Sequence, residues 1–267
     1  MPSCMKRPFH SLALLLVLAT ESAVASVTIG SGSVVNFADG TFDLGCQDLA
    51  IAGQATGTAE TLRSIVNLII SSGGGLAPGA GSIWLGGDFA NAGTFVPGTS
   101  RVNIVDTCGN GISRVSGATN FYEFAVASNS GKQLMLPAGA TQTVSHALTF
   151  LGVTGKLLNI VSSVTGTKAL LTVSPAATQM IGYVNARDND ASGGATIAPG
   201  TPAQYHSVDS GGLINWFGGI YGGGGVMAQA PLLGTAGRLI LLLGFLFFAA
   251  NVRCKSRVRC SVENDSA

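Results

Sequence analysis

An all-β fold, a right-handed parallel β-solenoid (β-helix) ectodomain, is what this sequence predicts, and three observations carry it. From Ser26 to about Phe217, short apolar segments alternate with Gly, Ser, Thr and Asn turns, and no helical period persists. The early segments recur at intervals of roughly 16 to 20 residues, the range of stacked repeat units. The 38 glycines, against 9 prolines, sit between apolar runs as turn residues, not in a collagen or linker pattern. In a solenoid each coil lays a strand beside its neighbours and buries small β-branched residues in a thin interior. Aromatics make up 7% of the chain, which suits a narrow core of Val, Ile and Leu.

The chain has 267 residues, and targeting signals claim both ends, leaving about 190 residues for one elongated folded domain. Only 10% of residues are charged and the net charge is +1, so no broad basic field exists to neutralise phosphates. That composition argues against a nucleic-acid partner.

At the N-terminus, Lys6 and Arg7 precede the apolar run from Ser11 to Ala19, and Ala23-Val24-Ala25 follows before Ser26. A basic region, a short apolar region and small residues at the cleavage position predict a signal peptide over 1–25, cut after Ala25. The apolar block is shorter than the roughly 20 residues that span a bilayer, which sets aside an uncleaved anchor. Cys4 and His10 leave with the leader.

The solenoid surface domain is expected over 26–217. Its candidate strands are Asp48 to Ala52, Val66 to Ser71, Ser82 to Phe89, Arg101 to Asp106, Tyr122 to Ser128, Gln142 to Leu151, Leu157 to Val161, Ala169 to Ser174, Gln179 to Ala186 and Leu213 to Phe217. Gln133-Leu134-Met135-Leu136 shows the same mix of alternation and apolar doublets. Between Arg63 and Ile70, Leu62, Ile65, Val66 and Ile69 fit a helical cap as well as a strand. The β-branched run leading into Gly73-Gly74-Gly75 favours the strand. Gly93 and Gly98 are placed at coil turns with positive φ, and Asn91 at a polar turn. Phe89, Phe95, Trp84 and Trp216 are read as interior or end-capping groups.

The segment Gly86-Gly87-Asp88-Phe89-Ala90-Asn91-Ala92-Gly93-Thr94-Phe95, followed by Pro97-Gly98-Thr99-Ser100, resembles the coils of secreted bacterial surface proteins and adhesins of the β-helix type. A second stretch is similar to another recurring module of those proteins: Leu136-Pro137-Ala138-Gly139 with Gln142-Thr143-Val144, then Leu157 to Ser162, Tyr183 to Asp188 and Asn215-Trp216. The resemblance covers roughly Cys46 to Phe217 and implies coil geometry more than any activity.

Three groupings carry residue types that could support chemistry. Arg187-Asp188-Asn189-Asp190-Ala191-Ser192-Gly193 alternates oxygen ligands in the manner of a calcium loop, but the position of the closing bidentate Glu is Pro199. A turn in which Asp188 and Asp190 cap backbone N–H groups is the plainer expectation. His146 and His206, with Asp106, Asp188, Asp190 and Asp209, supply no nucleophile elbow, so a hydrolytic triad is not expected. A β-helix polysaccharide lyase or hydrolase needs charged groups converging on one face, for which Arg187, Asp188 and Asp190 are the compact candidates. Neither a catalytic site, a cofactor nor a metal is assigned.

Cys46 and Cys108 are the cysteines of the exported domain, and an oxidising compartment permits their pairing. At about 18 residues per coil they fall some three coils apart, roughly 14 Å at strand spacing and beyond disulfide reach. A regular solenoid therefore keeps them apart, and an irregular first coil is the condition for a bridge.

A Gly-rich spacer, 218–229, comes next. From Val226 to Ala250 the chain is apolar or small apart from Gln229, Thr235 and Arg238, long enough for a C-terminal transmembrane helix. Arg253, Lys255, Arg257 and Arg259 follow and orient that helix with its basic end in the cytoplasm, ahead of a tail over 261–267. Within 230–260, Ala230-Pro231-Leu232-Leu233-Gly234-Thr235-Ala236-Gly237 resembles the Ile-Pro-Thr-Leu-Ser-Glu-Trp-Gly opening of the IPTL-CTERM sorting signal, a relative of PEP-CTERM, with Pro231, Leu233 and Gly237 matching by position. The resemblance implies processing by an exosortase-like enzyme, and a plain membrane anchor is the alternative.

Together these readings predict an exported, non-enzymatic protein of the cell envelope. Its bulk lies outside the inner membrane, sorted or anchored there. The role is structural or adhesive, toward an extracellular polysaccharide or surface ligand. A carbohydrate-active β-helix enzyme is the competing expectation.

Overall fold

A computed structural model describes residues 26–218. The leader, the residues Pro231, Leu233 and Gly237, the apolar run 226–250 and the basic cluster Arg253, Lys255, Arg257 and Arg259 all lie outside the described residues. Among the described residues no helix is long and apolar enough to cross a membrane, and the one helix is a single 3-10 turn, Pro202–Tyr205.

The described chain winds as a parallel β-solenoid of about eight turns, every strand pairing in parallel with the equivalent strand of the next coil. Each coil visits three walls. The first wall stacks Ser26–Ile29, residues 48–51 and 68–70, Phe89–Asn91, Ile112–Ser116, Gln133–Leu136, Leu158–Ser162, Val184–Arg187 and Val208–Asp209. The second begins as a separate four-stranded sheet, Val34–Phe37, Gln54–Gly57, Gly75–Ala77 and Thr94–Phe95. In later coils its place is taken by residues 119–121 and 142–144, then Ala169–Val173 and Asn189–Asp190. The third runs from residues 41–43 and 61–65 through Ser82–Leu85, Arg101–Ile104, residues 123–126 and 147–151 to Thr178–Gly182.

Register makes the core. Because partners on successive coils sit directly above one another about 4.8 Å apart, inward residues form columns. Leu49, Leu68 and Phe89 make one such column, and Leu62, Ile83, Val102, Phe124 and Leu148 another, all fully buried. Burial of each such side chain is worth about 1.5–3 kcal/mol. The expected narrow core of Val, Ile and Leu gives way to more aromatic packing beyond the early coils. Further along, Phe89, Phe121, Phe124 and Phe150 form a chain of ring contacts, with Phe121 stacked on Phe124 at 4.5 Å.

Several expectations need correction. The early spacing lies at and just above the upper edge of the expected range, Ser82 pairing with Arg101 19 positions on and Ser26 with Asp48 22 positions on, and later coils lengthen, Ala147 pairing with Thr178, 31 positions on. The early second-wall strands carry one or two inward residues each between glycines, too few to show a period, and so were not anticipated. Leu213 to Phe217, expected as a strand, makes only isolated bridges at Ile214 and Trp216. Thr61–Ile70 is a strand, as the β-branched run suggested. Gly98 takes φ +55°, but Gly93 does not lie in the left-handed region; it is required because a Cβ there would strike the carbonyl oxygens of Gly74 and Ser71. Phe89, Phe95 and Trp216 are buried, whereas Trp84 points outward from the third wall.

The two ends of the stack differ. At the C-terminal end Trp216 lies parallel to Phe150 at 6.5 Å and contacts Phe217 at 5.8 Å, while Tyr205 packs on Phe217 at 6.3 Å. These rings close the core. At the N-terminal end of the described residues Phe37 meets Phe42 edge-on at 5.2 Å, and Val27 and Phe42, which occupy core columns, are partly exposed.

Candidate functional site

The corner between the third and first walls holds the largest departure from the expected coil. Cys46 and Cys108 are joined in a disulfide with Cα atoms 5.0 Å apart. The prediction that they lie three coils apart assumed that both follow the regular path, and neither does. Cys46 follows Gly45 with both at φ +61°, a bulge inside Thr41–Ile51 that shifts the register with Thr61–Ile70. Cys108, at φ +59°, lies in an excursion after Arg101–Ile104 that folds back onto Gly86 of the preceding coil. A Cβ on Gly86 would collide with Thr107, so glycine there makes room for the excursion.

Lys132 fastens the same corner from inside. Its fully buried ammonium donates to the carbonyl oxygens of Gly86 and Asn110, each at 2.7 Å, and to Ser113 Oγ at 3.2 Å. Burial pulls its pKa below the ordinary lysine value, opposed by the carboxylates of Asp106 and Asp88. Asp106 Oδ2 accepts the amides of Asn129 and Ser130, and Asp88 Oδ1 accepts Arg114 N–H at 2.8 Å. The network is engaged with its own backbone, an arrangement that holds a corner and leaves no reactive group presented outward.

Arg187 and Asp188 come together, while Asp190 is taken up in a separate turn. Asp188, at φ +55° and nearly buried, accepts Gly166 N–H through Oδ2 at 3.0 Å and sits 3.5 Å from Arg187 Nε. Asp190 Oδ1 accepts Ser192 N–H at 2.8 Å. Asp190 therefore caps its own turn, as expected, whereas Asp188 reaches an amide of the preceding coil, 22 positions away. Among the described residues no group of three or more His, Cys, Asp and Glu side chains is gathered to hold a metal ion. His146 stacks on Tyr122 at 4.5 Å, and His206 on Tyr183 at 4.9 Å.

Two outward surfaces present unlike chemistry side by side on successive coils. On the third wall, Trp84 (39% exposed) neighbours Asn103 in register, and beside them Arg101 stands over Glu123. Arg101 Nε donates to Asn103 Oδ1 at 2.8 Å and its Nη1 lies 3.6 Å from Glu123 Oε2; His146 Nε2 is 3.8 Å from Glu123 Oε1. Ion pairs this long and this exposed are worth little, so Arg101, Glu123 and His146 keep hydrogen-bonding capacity for a ligand, whereas Asn103 is buried and engaged with Arg101 and the carbonyl oxygen of Ile83. Sequence reasoning missed this strip, having read Trp84 as interior and not having paired residues 20 or more positions apart. On the first wall, Gln133, Asn159 and Asn185 stack in register above a groove of about 190 Å³ also lined by Val161, Arg187 and Ser210. Asn185 donates to Asn159 at 3.1 Å, and Ser210 to Asn185 at 2.6 Å. The amide ladder ties three coils together and leaves Arg187 half-exposed at its edge.

No family model, curated protein or solved structure matches the chain.

Proposed function

We propose that this is an exported, non-catalytic protein of the bacterial cell envelope, whose solenoid is a structural or adhesive element held by its C-terminal segment. The observation that carries the reading is the Cys46–Cys108 disulfide, since such bridges form and persist in oxidising compartments outside the cytosol. It agrees with the leader-like pattern of 1–25, and it rests on residues far from either end. In this reading 226–250 spans the inner membrane, Arg253, Lys255, Arg257 and Arg259 stay in the cytoplasm, and Pro231, Leu233 and Gly237 mark a sorting motif that an exosortase-like enzyme processes.

The strip of Trp84, Arg101, Glu123 and His146 is the surface best suited to an extracellular ligand such as a polysaccharide, since an exposed ring beside planar polar groups suits a sugar face. It presents a single carboxylate, whereas glycoside hydrolysis uses two flanking the scissile bond. That geometry favours binding over catalysis. Cell fractionation combined with intact mass of the recovered protein tests the reading. The expected result is membrane or surface protein beginning at Ser26; a full-length chain in the cytosol with free thiols at Cys46 and Cys108 overturns it.

A further inference from the structure

We propose that the groove on the first wall is a binding site for a uronate ring, the carboxylate-bearing unit of acidic polysaccharides, held by Arg187, Asn185 and Gln133. The inference rests on the export reading only for where such a ligand is met, and it concerns a different face from the strip around Trp84.

The hydrogen bonds of the amide ladder decide what the groove offers. Asn159 Nδ2 donates to the carbonyl oxygens of Leu157 at 3.2 Å and Gly131 at 3.4 Å. A backbone carbonyl can only accept, so these two contacts fix which way the Asn159 amide is turned and leave its Oδ1 for the next coil. Asn185 presents an N–H to that oxygen at 3.1 Å, and its own Oδ1 then accepts the Ser210 hydroxyl at 2.6 Å. The oxygens of the ladder are thus engaged within it, and what remains is donors. Asn185 keeps its second N–H. Arg187, two residues on along the same strand and on the same face, keeps both terminal guanidinium nitrogens, because its contact with Asp188 runs through Nε at 3.5 Å. Gln133, in register with Asn159, has its carboxamide uncommitted among the described residues.

A groove that offers donors and a guanidinium selects an anion. No carboxylate is among its lining residues, and the acidic neighbours in sequence are folded onto backbone, Asp188 onto Gly166 N–H and Asp209 onto Gly211 N–H. The one guanidinium already shares its charge with Asp188, which suits a singly charged carboxylate over a doubly charged phosphate. At about 190 Å³ the groove is smaller than the roughly 300–1,000 Å³ of sites for drug-sized molecules, so it takes a single ring. Val161, in register with Arg187, gives that ring an apolar contact, and Ser210 gives its hydroxyls an oxygen.

Isothermal titration of the purified full chain in detergent tests the site with a mannuronate trimer, free mannuronate, mannotriose and acetate. The trimer is expected to bind saturably and more weakly as salt is added, and mannotriose, the same rings without carboxylates, is expected not to bind. Free mannuronate binding as tightly as the trimer assigns the site to a free sugar acid, and tighter trimer binding assigns it to the polymer. Arg187→Ala is expected to weaken the trimer by about tenfold or more, the loss of a charge-assisted contact. Gln133→Glu puts a carboxylate in the groove without touching the ladder and is expected to weaken it too, which separates lost recognition from a disturbed turn at Asp188. Lys156→Ala removes the same charge from an exposed turn and is expected to change nothing. Equal binding of mannotriose and the trimer, no binding of either uronate, or Arg187→Ala and Gln133→Glu chains that bind as the wild type does overturns the inference. Acetate that displaces the trimer carboxylate for carboxylate overturns the assignment to a sugar. A full-length chain in the cytosol overturns the export reading instead, and titration of the purified protein decides the groove in either case.

Discussion

Lys132 donates from its ammonium to the carbonyl oxygen of Gly86 at 2.7 Å, joining residues 46 positions apart across the corner that also carries the disulfide. The same nitrogen holds Asn110 and Ser113, so one side chain satisfies three acceptors of the excursion that brings Cys108 back toward Cys46. Lys132→Met keeps the apolar stem and deletes the donors. The Asn110 carbonyl then loses its donor, at about 1–3 kcal/mol, while the Gly86 carbonyl keeps the Ser113 hydroxyl at 3.2 Å. We expect a loss of roughly 2 kcal/mol in urea unfolding with the disulfide intact, and a loss below about 0.5 kcal/mol would show that the ammonium is not what pins the corner.

Removing the bridge acts on the unfolded chain instead. It closes a loop of 62 residues, for which chain entropy gives about 4 kcal/mol. Paired Cys46→Ser and Cys108→Ser substitutions, or reductant on the wild type, are expected to lower the unfolding free energy by about that amount. Equal melting temperatures with and without reductant would show that the bridge adds nothing.

Glu60 makes the stability pH-dependent. Its side chain is fully buried, and burial, reinforced by Asp39, raises its pKa above the ordinary value. The amides of Glu60 and Thr58 pull the other way without outweighing burial. With the folded pKa raised, the folded state holds more protons than the unfolded state between the two pKa values. Stability from this group is therefore present below the unfolded pKa and is lost as pH rises through the folded one. Glu60→Gln is expected to flatten the fall in melting temperature as pH rises above about 4.5. An unchanged slope would assign the dependence to other groups.

How much of this was legible in the sequence depends on how each feature is encoded. The walls were readable wherever a strand carries enough alternation, as Gln142 to Leu151 does within Thr141–Leu151. The second wall was not, because Gln54–Gly57 buries little beyond Ala55. Coil spacing placed Cys46 and Cys108 far apart, since it counts residues along a regular path and the bridge depends on two irregular ones. The exposed strip depends on register: Arg101 and Glu123 are 22 positions apart and become neighbours only when the coil length is known.

Glycine gives the last prediction, because the same residue type is required for two different reasons. Gly139 has φ +70° and open space where a Cβ would stand. Gly139→Ala therefore meets only the cost of the left-handed conformation, about 1–2 kcal/mol. Gly93 has no such φ, but a Cβ there meets the carbonyl oxygens of Gly74 and Ser71 and, at 2.9 Å, Ile70 Cγ2. The carbonyls belong to the preceding coil, whose backbone is fixed by Thr94 N–H donating to Gly74 O at 3.0 Å. Relief thus requires separating two coils, and Gly93→Ala is expected to cost roughly 3 kcal/mol, the upper end for overpacking. Melting of the two variants side by side decides the matter. A Gly93→Ala chain no less stable than Gly139→Ala would mean that the coils do not approach as closely as the stacking of Thr94–Phe95 on Gly75–Ala77 requires.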